Sequence, residues 1–316
     1  MTKPVMISEN SLSLNLGGQS RRKFIYNTAT AVGAGMILSS PLIGHTADFV
    51  KKPERYTVKQ IIDLFMKQVP GAPFANTVDT LKSGSPDTVV TGIVTTMFAT
   101  IDVIRKAIDL GANFIVAHEP TFYNHLDATD WIKDDDVLQY KMDLLNKHGI
   151  AVWRNHDTIH QLKPDGVTKG VLEQLEWQQY AGKDIPNILT LPSIPLKELI
   201  AQTKDKLRIE KVRFIGDLNQ NCSKVLFMPG ASGGTRQIQS IGKIKPDVLF
   251  CGEIAEWETA EYVRDARAKG DNLSLVVLGH IASEEPGSAF MLQWLKDNVP
   301  SVKATHIYCE NSLMFI

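Results

Sequence analysis

The strongest constraint on this chain is an alternation. Short runs dominated by apolar residues at Asn113–Ala117, Ile150–Trp153, Val248–Cys251 and Leu275–Leu278 each follow a stretch whose apolar residues have helical spacing. Runs this short and this rarely interrupted by polar residues suit strands buried on both faces. Strand, helix, strand repeated in order predicts crossover connections and mainly parallel sheets. The first helices have clear ends. Thr57 precedes Ile61, Ile62, Phe65 and Val69, and Pro70-Gly71 stops the pattern; Thr100 precedes Ile101, Ile104, Ala107 and Ile108, and Gly111 stands where a left-handed residue closes a helix. Gly149 does the same after a helix at 137–147, with Asp134-Asp135-Asp136 suited to its N-terminus and His148 to its C-terminus.

The expected fold class is therefore α/β, with two similar α/β lobes and mainly parallel mixed sheets. Lobe one spans about 54–178, a connection containing a helix at 196–207 spans about 179–220, and lobe two spans about 221–316. Further strands are expected at 88–94 and 224–228, a Gly-rich turn at Pro229–Gly234 and a helix at 257–269. The turn lacks the lysine and the Ser/Thr spacing of a phosphate loop, so it reads as a tight strand-to-helix connection lining a cleft. The chain has 316 residues, 43% of them hydrophobic, enough for a large core without disulfides. Cys222, Cys251 and Cys309 have no CxxC spacing and read as small buried residues, with one pairing left open.

A formal net charge of −1 gives no basic field to attract a polynucleotide, so no nucleic-acid partner is expected. The N-terminus carries Ser20-Arg21-Arg22-Lys23-Phe24-Ile25 ahead of a weakly apolar Ala/Gly-rich run at 29–43. This order resembles a twin-arginine export signal, covering residues 1–47, with cleavage near 44–47 and the remainder, 48–316, as the mature domain. Such a signal implies a periplasmic or otherwise exported protein with no stable membrane anchor once it is removed.

Three strands end on histidine. His118 follows Ala117, His156 and His160 follow Trp153, and His280 follows Leu278. In an open α/β sheet the carboxyl ends of the strands are where ligands bind. Carboxylates stand beside them: Glu119 adjoins His118, with Pro120 favouring an extended backbone there, and Glu284 lies four residues after His280, with a strand-to-helix turn expected between the two. Imidazoles with carboxylates suit first-row divalent ions, and Zn, Fe, Mn, Ni and Co are not distinguished by this set. A single histidine at a strand end is usually just a satisfied polar residue; the repeated placement is what points to metal.

Four segments resemble the NIF3-like family, also known as GTP cyclohydrolase type 2 homologues. Ala107–Phe122 (AIDLGANFIVAHEPTF) is similar to its "IIAHHP" stretch, Val152–His160 (VWRNHDTIH) to "HTNLD", Asp247–Ala260 (DVLFCGEIAEWETA) to "TGD", and Gly279–Glu284 (GHIASE) to "GHxxSE". They occur in the family's order. The resemblance implies two α/β lobes with a dinuclear metal site in the cleft between them, a metal-dependent hydrolase of unsettled substrate, and a homo-oligomer, commonly a hexameric ring. Carried over residue by residue, it implies two divalent ions per chain held by His118, Glu119, His160, His280 and Glu284. His156, which matches the histidine of "HTNLD", is expected beside the ions as a proton-moving base. Glu119 stands where the family has histidine and His160 where it has aspartate, so ligand count and charge are kept. Trp257 replaces a frequent histidine, and the family's early "DNxGL" has only Asn76-Thr77-Val78-Asp79 opposite it.

Overall fold

The computed structural model of the protein describes residues 55–316, so the twin-arginine segment lies outside the described residues. Two five-stranded sheets organise these residues. The first contains β1 (Leu81–Ser83), β2 (Ile93–Thr96), β3 (Phe114–Ala117), β4 (Ala151–Arg154) and β10 (Ala304–His306), in the order β1-β4-β3-β2-β10. Its last four neighbours run parallel, and β1 is antiparallel at the edge. The second contains β5 (Ile188–Pro195), β6 (Arg213–Ile215), β7 (Asn221–Met228), β8 (Val248–Cys251) and β9 (Ser274–Val277), in the order β5-β7-β8-β9-β6. Here β7, β8 and β9 are parallel and both edges are antiparallel.

The helices are α1 (Val58–Met66), α2 (Ile101–Asp109), α3 (Asp136–Lys147), α4 (Asp157–His160), α5 (Gly166–Leu175), α6 (Leu196–Leu207), α7 (Gly234–Ile244), α8 (Glu261–Ala268) and α9 (His280–Asn298). α2 and α3 form the crossovers of the first sheet, and α7 and α8 those of the second. The predicted ends hold. Thr57 and Gln60 form a reciprocal capping box, Thr100 accepts from Val103 N, and Asp135 accepts from Val137 N and Leu138 N. Gly111 and Gly149 take positive φ, 67° and 58°.

Strand alternation divides the core. Phe114, Val116 and Trp153 of the first sheet and Phe227, Phe250 and Val276 of the second enter one shared inner cluster with α1, α5, α6 and α9. Their neighbours face two outer clusters, one per sheet. Phe65 on α1 meets Trp153 edge-on at 5.9 Å and Trp294 at 4.9 Å, and Trp177 meets Phe227 at 6.5 Å. Each such pair contributes about 1 kcal/mol beyond its burial. The shared cluster fixes the inner faces of both sheets to the same helices, and that arrangement brings their strand ends together.

Four sequence expectations change. The sheets do not divide at 179–220: β5 and β6 come from that stretch and join the second sheet, while β10, from near the C-terminus, joins the first. The strand expected at 88–94 begins only at Ile93, because Thr88 and Val89 pair instead with Val58 and Thr57. The helix expected from 257 opens as a π turn at Glu256–Ala260 before α8. Gly279, at φ 94°, makes the strand-to-helix turn alone, so α9 begins at His280 and Pro286 lies inside it. The three cysteines are free.

Candidate metal centre

His118 continues the alternation of β3. Phe114 and Val116 face the inner core, and the same parity turns the His118 ring inward, where the residue is 5% exposed. His156 caps and His160 ends the single turn of α4, which is held by a buried carboxylate: Asp79 accepts from the backbone N–H groups of His156 (2.8 Å), Asp157 (3.0 Å) and Thr158 (2.6 Å). The three imidazoles meet face to face or edge to face, with ring centroids 4.9 Å (His118–His156), 5.2 Å (His118–His160) and 5.1 Å (His156–His160) apart. From the second sheet, Leu278 and Gly279 deliver His280 and Glu284 one helical turn apart. His280 Nε2 lies 3.0 Å from Glu284 Oε2 and 3.2 Å from Glu119 Oε1, and His118 Nε2 lies 3.5 Å from Glu284 Oε2. Residues that follow strands of both sheets thus close on one another.

Two groups in this cluster have the spacing to hold a metal ion. One is His118, His156 and His160; the other is His118, Glu119 and Glu284; within each, one ligand atom per residue lies within 4.8 Å of the rest. The ring orientations agree with that reading. Each imidazole turns Nδ1 to an acceptor: His118 to Asn155 O (3.1 Å), His156 to Asp157 Oδ1 (2.9 Å), His160 to Asp165 Oδ2 (2.7 Å) and His280 to Glu253 Oε1 (2.8 Å). In a neutral ring with its proton on Nδ1, the Nε2 lone pair is what each imidazole would offer, as in metal-ligating histidines backed by a carboxylate or carbonyl. His118 Nε2 is buried without a hydrogen-bond partner, a donor set missing its acceptor.

The carboxylates and imidazoles of the cluster shift one another. Burial alone would raise the Glu119 carboxyl, but the His280 hydrogen bond and the charges of His118, His280 and His156 hold it down at about 2. Glu284 is likewise held low against its burial by His118 and His280. Burial works against protonation of His280, yet Glu119, Glu253 and Glu284 push it up to about 12. His118 is also raised, Glu284 and Glu119 outweighing its burial, whereas His156 is lowered by burial and by the neighbouring His118. Carboxylates that force a proton onto an imidazole are carboxylates that would bind a divalent ion.

His118, Glu119, His160, His280 and Glu284, together with His156, come to one cluster. His156 stands among the imidazoles with ligand spacing rather than behind them. Trp257 is 81% exposed in the π turn. Sequence reasoning passed over Asp79, Arg154, Asp157, Asp165 and Glu253. Glu253 was visible in principle, since Gly252-Glu253 fills the "GD" of the third quoted segment. Asp79 lies in the stretch opposite "DNxGL", where Thr77 Oγ1 also donates to Asp157 (2.8 Å). The Gly-rich turn serves the carboxylate: a Cβ on Gly230, at φ +63°, would fall on Glu284 Oε1.

A family model described as Duf34/NIF3 (NGG1p interacting factor 3) matches residues 56–312. The chain belongs to the Duf34/NIF3 family. Curated NIF3 relatives include a GTP cyclohydrolase 1 type 2 homolog of Clostridium perfringens, 24% identical over 232 residues, covering 70% of this chain and 84% of the relative. A protein of the same name from Clostridium acetobutylicum is 24% identical over 227 residues, covering 68% and 80%. Among solved structures, Staphylococcus aureus protein SA1388 aligns with TM-score 0.65 at 18% identity, covering 83% of this chain and 99% of the other. Protein ybgI, of unknown function, aligns with TM-score 0.67 at 20% identity, covering 82% and 100%. At these identities the structures establish the NIF3 fold, a mixed α/β architecture with two sheets.

Proposed function

We propose that this NIF3 protein is a metal-dependent hydrolase that holds two divalent ions per chain, one in the imidazole group of His118, His156 and His160 and one toward Glu119, Glu284 and His280. The observation that carries this reading is the shared orientation of four imidazoles, each with Nδ1 bound to an acceptor and Nε2 left for the cluster. A divalent ion there supplies Lewis acidity and lowers the pKa of a water molecule. The chain's own groups do the rest. Asp157, Asp165, Glu253 and the Asn155 carbonyl fix ring orientation, and Gly230 backs Glu284. The Nε2 of His156 cannot both hold an ion and take a proton, and its place beside His118 and His160 favours holding.

The name of the curated relatives offers GTP as a substrate. The side chains bonded to the imidazoles here are carboxylates, a surrounding that disfavours a triphosphate unless metal neutralises it. The twin-arginine pattern supports export to the periplasm, and the family resemblance supports a homo-oligomer, as a hexameric ring.

Elemental analysis of untagged mature protein, with a panel of ester, amide and phosphoester substrates, tests the reading. The expected result is about two equivalents of first-row metal per chain, of which one is lost, with any hydrolytic activity, on substitution of His280 and Glu284. Less than about one equivalent would overturn the dinuclear reading. Full metal without turnover would favour a binding or scaffold role.

A further inference from the structure

Behind Glu119 lies a group that the proposed chemistry does not use. Arg154, the last residue of β4, is 0% exposed. A guanidinium cannot shed its proton, so one this deeply buried is kept only where acceptors surround it. Its acceptors all belong to the segment that follows β3. Nε donates to His118 O (3.4 Å), Nη1 to His125 O and to Asp127 Oδ2 (3.4 Å), and Nη2 to Glu119 Oε2 (3.5 Å). Asp127 is itself buried, pairs with Lys82 Nζ at 3.1 Å and accepts from Phe122 N at 2.8 Å. Two cations, Arg154 and Lys82, therefore stand against two carboxylates, Asp127 and Glu119, and the rear of Glu119 is neutralised from within the first lobe.

The two oxygens of Glu119 consequently face different ways. Oε2 is on the guanidinium, while Oε1 is 3.2 Å from His280 Nε2 and 3.7 Å from His156 Nε2. We infer that Arg154 is the positioning residue for Glu119: it holds Oε2 so that Oε1 alone is offered to the cluster, making Glu119 a one-oxygen ligand. This rests on the metal reading above and adds to it. The family pattern has histidine where Glu119 stands, and histidine likewise presents one donor atom. A carboxylate free to turn would present two and would bring an uncompensated charge. Arg154 removes both differences, and its bonds to His125 O and Asp127 tie the loop after Glu119 to the same anchor.

The test compares wild type with Arg154→Met, Arg154→Lys, Glu119→Gln and Arg154→Met/Glu119→Gln, each stripped and reloaded with Co2+. Coordination is read from the visible absorption of the bound cobalt, and affinity from competition with a chelator. Arg154→Met is expected to weaken one of the bound ions about tenfold to a hundredfold, the usual effect of losing a group that orients a ligand, and to lower the cobalt absorption as Glu119 becomes bidentate. Arg154→Lys should restore part of the affinity, because an ammonium replaces the charge without the fork. In the Glu119→Gln background Arg154→Met should leave cobalt binding unchanged. Wild-type absorption and affinity in Arg154→Met, or effects of the two substitutions that simply multiply, would overturn the inference.

A metal-free arm separates this inference from the one it rests on. Urea unfolding of the same four stripped variants and wild type forms a double-mutant cycle for Arg154 and Glu119. Coupling between the two positions supports the positioning role, and its absence overturns it, whether or not wild type retains metal. Failure of wild type to bind cobalt overturns the metal centre instead. Should Arg154→Met not fold, Arg154→Lys against Glu119→Gln supplies the same cycle.

Discussion

Gly230 and Glu284 occupy complementary space: the carboxylate of Glu284 fills the volume that a side chain at position 230 would need. Gly230, at φ +63°, is also tied to the same helix turn, its N–H donating to Ser283 Oγ at 3.0 Å. The Gly-rich turn after β7 thus acts as a wall that sets where Glu284 points.

Gly230→Ala should therefore do two things. The left-handed backbone costs an alanine about 1 kcal/mol in stability, a modest effect on its own. The larger effect is local, since the methyl displaces Glu284, and metal content should fall with it. Retention of wild-type metal content in Gly230→Ala, measured by elemental analysis alongside unfolding, would show that Glu284 is not a required ligand.

His160→Asp restores the residue that the family pattern places there and removes the His160–Asp165 bond of 2.7 Å. Three imidazoles prefer Zn, Ni or Co; two imidazoles and a carboxylate accept Mn and Fe more readily. Competition titrations should show the preference for Zn2+ over Mn2+ falling by about tenfold in the variant, equivalent to roughly 1.4 kcal/mol. An unchanged ratio would place His160 outside the ligand set.

The fold and the candidate ligands were legible in sequence to different depths. Runs such as Phe114–Ala117 and Val248–Cys251 announced strands because both faces are buried. β1, β6 and β10 did not, because each is a three-residue strand at a sheet edge, with partly exposed residues and a pairing partner far away in sequence. The histidines were visible as residues that follow strands. Arg154 and Asp79 were not, since a charged residue at a strand end normally reads as solvated, and only tertiary packing buries these two. The turn between His280 and Glu284 was misplaced because the Ser283-Glu284-Glu285-Pro286 sequence looks like a helix start, whereas Gly279 had already supplied the turn.

Asp79→Ala tests whether α4 is positioned from outside the site. Three backbone N–H groups lose their acceptor, which should cost about 2 kcal/mol and lower the melting temperature by several degrees. Asp79→Asn keeps an acceptor and should cost less. In both variants His156 and His160 lose their register with His118, so metal bound to the imidazole group should weaken before metal bound toward Glu284. Competition with a chelator, read as two separate release steps, checks the order.

The remaining prediction concerns Lys141, which lies away from the imidazoles but holds the segment after Glu119. Its side chain is buried, donates to Thr121 O at 2.5 Å and sits over the Tyr123 ring at 5.1 Å. Burial pushes its ammonium down to about 8 from the usual 10.5, with Asp127 only partly opposing. Below that pH the lysine is protonated in both folded and unfolded chains and adds no slope. Between about 8 and 10.5 the unfolded chain keeps a proton that the folded chain has released, so stability rises with pH across that window. The rise is on the order of 3 kcal/mol when complete. The thiols of Cys222, Cys251 and Cys309, which burial raises to about 11, 12 and 12, act in the opposite direction above their ordinary range. That contribution is common to wild type and Lys141→Met and cancels in their difference. Urea unfolding at about pH 7, 8.5 and 10 should therefore show wild type gaining on Lys141→Met by roughly 2 kcal/mol over the series. A constant difference would mean that Lys141 titrates like an exposed lysine and that the loop carrying Glu119 is looser than its contacts indicate.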